Sequence, residues 1–483
     1  MLRKSILVVS LVALLIGCTP ASPEQSVVND AASAMGGEAR IKAARTLLIE
    51  GEGVNYNLGQ DMVPGASGQT FKVSEYRRAM DFTAGRMRIE QVRTPTFAYF
   101  QGPAPQKQIQ GLDGAAGYNV PATGNPAQIA TAAVQDRRRD YYHHPLTIVR
   151  AALDPNSKLA NARTAGNDRL VDITTADGVT GTLTIDNTGL PRSVATKAYH
   201  PNLGDVVYTT TFAGYQDVNG LKLPAQISTK IDDFTLAETR ASKQSIDGQV
   251  GDLAMPAGAT PAPAPAAVNV TVEQVAPGVW WLAGGSHHSV VVDFSDHRIL
   301  IEAPQNEART LAVIAKAREI EPKKPLTKFV TTHHHFDHTG GLRAAISEGL
   351  TVITHVGNKA FVEAMAARPH TVQPDALAKN PKPVTVETVD GELELKDAVG
   401  NVKLYHVAGS PHSDTMLMAY IPKSRLLVEV DVFSPGAAAQ PYAANLLENI
   451  TRAKLSVDRI VPLHGTIAPM AELVKTQAAT KSE

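Results

Sequence analysis

Two periodicities divide the chain. From Thr46 to about residue 230, apolar and polar residues alternate in short runs, among them 87–92, 170–174, 181–185 and 206–212. Period two predicts strands with one buried face. Asp186-Asn187-Thr188-Gly189 and Val218-Asn219-Gly220 are hairpin-type turns between such runs. Upstream, a small-residue tether over 19–40 leads into a helix expected around 27–45, and Tyr141 is expected to begin a short helical stretch.

Beyond residue 268 the pattern changes. Apolar runs at 290–294, 298–301, 327–331, 351–354 and 426–430 alternate with helical patterns at 307–319, 341–348 and 358–367. Such alternation predicts a layered α/β architecture with functional loops at strand ends. Between the two regions, Met255 to Val268 is rich in proline and alanine, so it should be extended and semi-rigid. The expected organisation is therefore a mostly β domain over 19–254, a linker over 255–268 and an α/β domain over 269–483.

Composition narrows the classes. A chain of 483 residues is too long for one ordinary core. Its formal net charge of −1 lacks the basic footprint of a nucleic-acid binder. No phosphate-loop, dinucleotide-fingerprint or nucleophile-elbow pattern occurs. Residues 1–18 stand apart: Arg3 and Lys4 precede an apolar run over 6–16. A membrane span needs roughly 20 apolar residues, so this run predicts an export signal. It ends Leu15-Ile16-Gly17-Cys18, which resembles the bacterial lipobox. That resemblance implies lipidation of Cys18. Thr19 follows where Asp would favour the inner membrane, which implies an anchor in the outer membrane facing the periplasm.

Cys18 is also the only cysteine, so a metal site in the mature domains must use nitrogen and oxygen donors. The densest group of these is Thr331-Thr-His-His-His-Phe-Asp-His-Thr-Gly-Gly341, which contains His333, His335, Asp337 and His338. Imidazole and carboxylate bind borderline divalent metals. The region from 269 onward holds 12 of the 15 histidines.

This segment resembles the metallo-β-lactamase superfamily, and three later donors extend the resemblance over about 275–470. His412 stands in Gly409-Ser410-Pro411-His412-Ser413-Asp414, Asp431 follows the 426–430 strand, and His464 follows Ile460-Val461-Pro462-Leu463. The resemblance implies a four-layer αββα fold and two divalent cations. His333, His335 and His412 would hold one; Asp337, His338 and His464 would hold the other; Asp431 would bridge them. Zinc suits such a site best, and iron and manganese also occupy all-N/O sites. Two adjacent cations lower the pKa of a shared water, giving hydroxide near neutral pH, with Asp337 orienting it and shuttling its proton.

Other residues are read beside this set. His334 should point away from the ligands. Glu302 stands where the family usually has a buttressing Asp. His288, in Ser286-His287-His288-Ser289, is a candidate substrate contact, and His406 is expected to be structural. The stretch from about 30 to 250 resembles lipoprotein-carrier domains, which implies a curved sheet with a concave apolar face able to hold an acyl chain.

Asp431 at the bridging position resembles the lactonase, glyoxalase II, phosphodiesterase and sulfatase branches. The expected activity is hydrolysis of an ester, lactone, thioester or amide of a small periplasmic molecule. β-Lactam hydrolysis is the alternative within the class. The alternative from another class is a lipid- or acyl-binding lipoprotein whose metal-stabilised C-terminal domain is not catalytic.

Overall fold

The computed structural model describes residues 21–480 apart from 67, 98–99, 101–103, 123, 263, 265–266 and 438–439. Cys18 and the rest of the expected export signal lie outside the described residues. Among the described residues no helix is long and apolar enough to cross a membrane.

The first part of the chain is a 13-stranded antiparallel sheet. Strand Thr46–Tyr56 sits in its interior, between Thr70–Asp81 and Phe234–Ile246. Six strands thus run outward from the centre, and seven return from the far edge at Lys158–Ala165. The helix expected over 27–45 is two, Pro23–Met35 and Glu38–Ala43. Gly36 and Gly37 separate them at φ of 123° and 100°, outside the helical region.

Tyr141 lies near the end of a helix, Thr131–Tyr142, and a further helix, Pro145–Ala152, follows. The run Gln135-Asp-Arg-Arg-Arg-Asp140 shows no apolar stripe, so hydrophobic periodicity could not reveal the first of these. Val28, Met35, Leu146 and Val149 pack with Leu183, Ile185 and Val194 in one buried cluster. The apolar face expected to hold an acyl chain is thus covered by the chain's own helices. A groove of 630 Å³ elsewhere on the sheet is lined by Glu52, Lys72, Glu238 and Arg240 together with Val54, Val73 and Ile227, a mixed charged and apolar surface.

The second part has two sheets, one of seven strands over 271–389 and one of six over 392–469. Val290, Val292, Ile301, Val330 and Ile353 of the first meet Val402, Leu404, Ala419, Val428 and Val461 of the second in the central core. Helices Glu307–Ile320, Leu342–Ser347 and Lys359–Ala367 contribute Ile314, Leu342 and Val362 to the core outside the first sheet. Helix Ala443–Arg452 buries Leu446 and Ile450 with the central core, and Leu473 joins them. The result is a four-layer αββα arrangement, with an antiparallel β domain before it.

Two fully charged side chains brace this domain from within. Arg298 has no exposed surface, and its guanidinium donates to the carbonyls of Ala317, Glu321 (2.5 Å) and Lys324 (2.6 Å). These carbonyls lie at and after the C-terminus of helix Glu307–Ile320, where the helix itself supplies no N–H donors. Arg309, on the same helix, donates to the carbonyls of Asn269 (2.5 Å), Ala283 (2.9 Å) and His287 (3.2 Å). It therefore fixes the hairpin that carries His287.

The β domain packs directly on the α/β domain. Leu203, Val206 and Ile231 share a buried cluster with Leu342, Val362 and Met365. The Asp205 carboxylate accepts from the backbone N–H groups of Thr371 (2.9 Å) and Val372 (3.0 Å), and Arg368 pairs with Asp232.

Candidate metal centre

Strand Leu326–Val330 delivers the histidine loop, and the short helix Phe336–Thr339 turns it back. Gly340 and Gly341 allow the turn. A Cβ on Gly340 would lie 2.1 Å from the Gln305 carbonyl oxygen, and one on Gly341 would lie 1.7 Å from Thr310 Oγ1. Larger residues would push the loop off its strand.

The loop, with the chain ends that bear His412, Asp431 and His464, brings donors into two groups. His333, His335, His412 and Asp431 have ligand atoms within 4.8 Å of one another; so do His287, Asp337, His338 and His464. Asp431 stands between them. Its Oδ2 is 3.4 Å from His333 Nε2, 3.2 Å from His412 Nε2 and 3.0 Å from His338 Nε2, while Oδ1 is 3.0 Å from His464 Nε2. All seven residues of the expected ligand set therefore converge on one place.

Each ring is turned by what its other nitrogen meets. The Thr332 hydroxyl donates to Glu302 Oε2 (2.5 Å), which leaves its oxygen to accept from His333 Nδ1 (3.1 Å). His335 Nε2 donates to the Asp61 carbonyl (2.9 Å), and His464 Nδ1 donates to the Ser286 carbonyl (2.9 Å). Glu302 Oε2 is also 3.5 Å from His338 Nδ1. These partners fix tautomers so that a lone pair faces inward. Glu302 has no exposed surface and sits at φ 73°, a conformation that turns its carboxylate toward Thr332 and His338 at once.

A divalent cation fits this set. Three buried ring nitrogens, His333 Nε2, His335 Nδ1 and His412 Nε2, have no partner in hydrogen-bond geometry. Orphaned buried acceptors are costly, and a cation at roughly 2.0–2.2 Å from nitrogen and oxygen donors would satisfy them. Burial holds His333 and His335 well below the usual histidine range, hence neutral. Burial alone would raise Asp431, but His338 and His412 hold its carboxyl well below the usual carboxylate range. The same opposition keeps Asp337 ionised: burial works against the hydrogen bond from His287 and the charge on His338, and loses.

Asp337 is gripped on both oxygens. Gln60 Nε2 donates to Oδ1 (2.8 Å), and His287 Nε2 lies 3.3 Å from Oδ2. His287 was not singled out from the sequence; its neighbour His288 was. The structure places His288 away from the cluster, 6% exposed, its Nε2 donating to the Gly465 carbonyl (3.0 Å) and its ring 4.6 Å from Trp281. Successive residues of an extended segment face opposite sides, and sequence alone does not say which side is the site. His334 faces away from the ligands, its Nδ1 3.3 Å from Thr415 Oγ1. His406 Nε2 donates to the Asp414 carbonyl (2.7 Å), a packing role.

Asp61 contributes to the site through its carbonyl, while its own carboxyl is 6% exposed and Oδ1 has no partner. Burial raises its pKa to about 6. The folded protein thus keeps a proton that the unfolded chain releases near pH 4. Stability from this group is fullest below about pH 4 and falls by up to about 3 kcal/mol as pH rises to about 6. Asp61→Asn is expected to raise the melting temperature of chelator-treated protein at pH 7.5 by several degrees and to match the parent below pH 4. Coincident melts at pH 7.5 would contradict this.

Comparison with known proteins agrees with the architecture. Residues 281–429 match the family model of the Metallo-beta-lactamase superfamily, and His333, His335, Asp337, His338 and His412 fall inside the match. Solved structures similar to this chain include a metallo-beta-lactamase from Pontibacter korlensis (18% identity, TM-score 0.34, covering 44% of this chain and 100% of that one). One from Hirschia baltica shares 18% identity at TM-score 0.35, covering 44% and 97%. The FIM-1 enzyme from Pseudomonas aeruginosa in its mono-zinc form shares 18% at 0.35, covering 45% and 98%. The stretch 281–429, which holds five of the seven candidate donors, is thus what this chain has in common with the Metallo-beta-lactamase superfamily.

Proposed function

We propose that the chain is a dinuclear metal-dependent hydrolase acting on an ester, lactone, thioester or amide of a small molecule. The observation that carries this reading is the pair of four-donor groups that meet at Asp431, a member of one whose carboxylate lies 3.0 Å from His338 and His464 of the other. His333, His335 and His412 would hold one cation, and Asp337, His338 and His464 the other, with His287 close enough to join the second. Two such ions, zinc being best suited, supply Lewis acidity and lower the pKa of water toward neutrality.

The chain's own groups do the rest. Asp431 stands between the two groups, its Oδ2 near His333, His412 and His338 and its Oδ1 near His464. Asp337 is an ionised carboxylate with 42% of its side chain exposed, placed to orient the nucleophile and take its proton. His287, half-buried at the rim and hydrogen-bonded to Ser286 Oγ (2.9 Å), can donate to Asp337 or to a substrate oxygen. Gln60 and His287 hold the carboxylate from both sides, which limits its rotation and so the direction of proton transfer. We further propose export, lipidation at Cys18 and an outer-membrane anchor facing the periplasm.

The test is a class-by-class screen on zinc-replete protein, using p-nitrophenyl esters, lactones, thioesters and nitrocefin, beside metal analysis. Close to two metals and turnover of one class support the hydrolase. Turnover of nitrocefin alone would make it a β-lactam hydrolase, consistent with the names of the similar structures. Two metals with no turnover in any class would overturn catalysis in favour of a binding lipoprotein.

A further inference from the structure

The loop between strands Thr46–Tyr56 and Thr70–Asp81 belongs to the β domain, yet four consecutive residues of it bond to the metal-site loops. The Gly59 carbonyl accepts from Phe336 N–H (3.1 Å), and the Met62 carbonyl accepts from Asp414 N–H (2.8 Å). Between these, Gln60 Nε2 donates to Asp337 Oδ1 (2.8 Å), and the Asp61 carbonyl accepts from His335 Nε2 (2.9 Å). The approach is tight: Gly59 has φ 76°, and a Cβ there would lie 2.3 Å from the Phe336 ring. Asn202, from another part of the β domain, donates to the Phe336 carbonyl (2.9 Å) and holds the same helix from the other direction.

An ordinary domain contact would fall on surface groups. These bonds fall on the two atoms that decide how the site binds metal. His335 can present Nδ1 inward only while Nε2 carries the proton, and the Asp61 carbonyl is the acceptor that keeps it there. Asp337 can keep one oxygen toward the cluster only if the other is held, and Gln60 holds it.

We propose that residues 59–62 of the β domain are a built-in part of the metal centre, with Asp61 setting the ligating tautomer of His335 and Gln60 acting as a positioning residue for Asp337. The inference rests on the two-metal reading above. It makes the two domains one functional unit, in which docking of the sheet loop and metal affinity are coupled.

The test is a Zn²⁺ titration of the full chain against a chromogenic chelator, with Gln60→Glu, Gln60→Ala and Gly59→Val beside the parent. Gln60→Glu keeps the shape and removes the donor. Both Gln60 variants are expected to weaken one of the two bound ions by about 10- to 100-fold and to leave the other within about threefold. The visible spectrum of the Co²⁺-loaded protein should change as well, since a structural role alone would not alter ligand geometry. Gly59→Val, which lifts the whole loop, should weaken both ions.

Melting of the metal-free proteins separates lost ligation from lost folding. Gln60→Ala, altered at a half-buried side chain, is expected to melt with the parent, whereas Gln60→Glu, which sets a second carboxylate beside Asp337, is expected to melt somewhat lower. Unchanged affinity for both ions together with an unchanged cobalt spectrum in both Gln60 variants would overturn the proposal. A parent protein that takes up fewer than two ions would overturn the two-metal reading itself, and this inference with it.

Discussion

Asp337→Ala is expected to abolish turnover of whichever substrate class the screen identifies, by about a thousandfold or more, while leaving the fold intact. The fold should survive because this side chain is 42% exposed and, among the described residues, its hydrogen bonds go to Gln60, half-buried, and to His287 at the rim, with His338 Nε2 3.6 Å away. Turnover should not, because the change removes an ionised carboxylate that stands beside His338 and is held on both oxygens. A thousandfold corresponds to about 4 kcal/mol of barrier. Steady-state rates on metal-saturated protein, with stoichiometry measured on the same sample, decide the matter. A variant that keeps activity within about tenfold would remove Asp337 from the mechanism, whatever its effect on metal binding.

The largest effect on stability is expected far from the metals, at Arg298. Its guanidinium is fully buried and supplies hydrogen bonds to the carbonyls of Ala317, Glu321 and Lys324, with Asp293 3.8 Å away as counter-charge. Arg298→Met preserves bulk and removes every donor. The Ala317 and Lys324 carbonyls then lose this donor, while Glu321 keeps the Lys324 N–H (3.1 Å) and Asp293 keeps Lys324 Nζ (3.0 Å); the loss of the buried charge and its bonds costs about 3–5 kcal/mol. For a domain of this size that lowers the melting temperature by about 10 °C. The outcome is read from thermal unfolding of the metal-free protein, where ligand binding does not mask it. A shift below about 3 °C would mean that water replaces the guanidinium without cost.

The two predictions probe different layers, and the layers differ in how far the chain alone discloses them. The strand delivering His333, the glycine turn behind it and the later donors His412, Asp431 and His464 are local in sequence, and each follows a strand or sits in a short loop. Period-two alternation located strands such as Thr180–Ile185 and Gly204–Val218, whose buried positions line one face. It failed at Thr131–Tyr142, where charged residues cover the helix and only Val134 and Arg139 are buried along it. It also ran the N-terminal helix through Gly36-Gly37, since periodicity does not register backbone strain.

The site shows the same division. The candidate donors were legible, because few residue types bind such metals and they cluster. Orientation was not: His287 and His288 are adjacent, and only the register of Ser289–Asp293 against its neighbours sends one to Asp337 and the other to Gly465. Glu302 was visible as a candidate buttress, but its sharing between His338 and Thr332 depends on a left-handed backbone turn. Gln60 and Asp61 carried no signal at all, being more than 270 residues from the groups they hold.

The sequence by itself determined the layered architecture of the second domain and picked out the candidate donors His333, His335, Asp337, His338, His412, Asp431 and His464, which the structure brings to one place. Those follow from residue chemistry and from periodicities that act over a few positions. Tertiary structure alone decided which nitrogen of each histidine faces inward, which member of the 287–288 pair reaches the site, and that the β domain closes over it. Each of these depends on hydrogen-bond partners brought together by packing across the domain boundary, and no local pattern encodes a partner so distant along the chain.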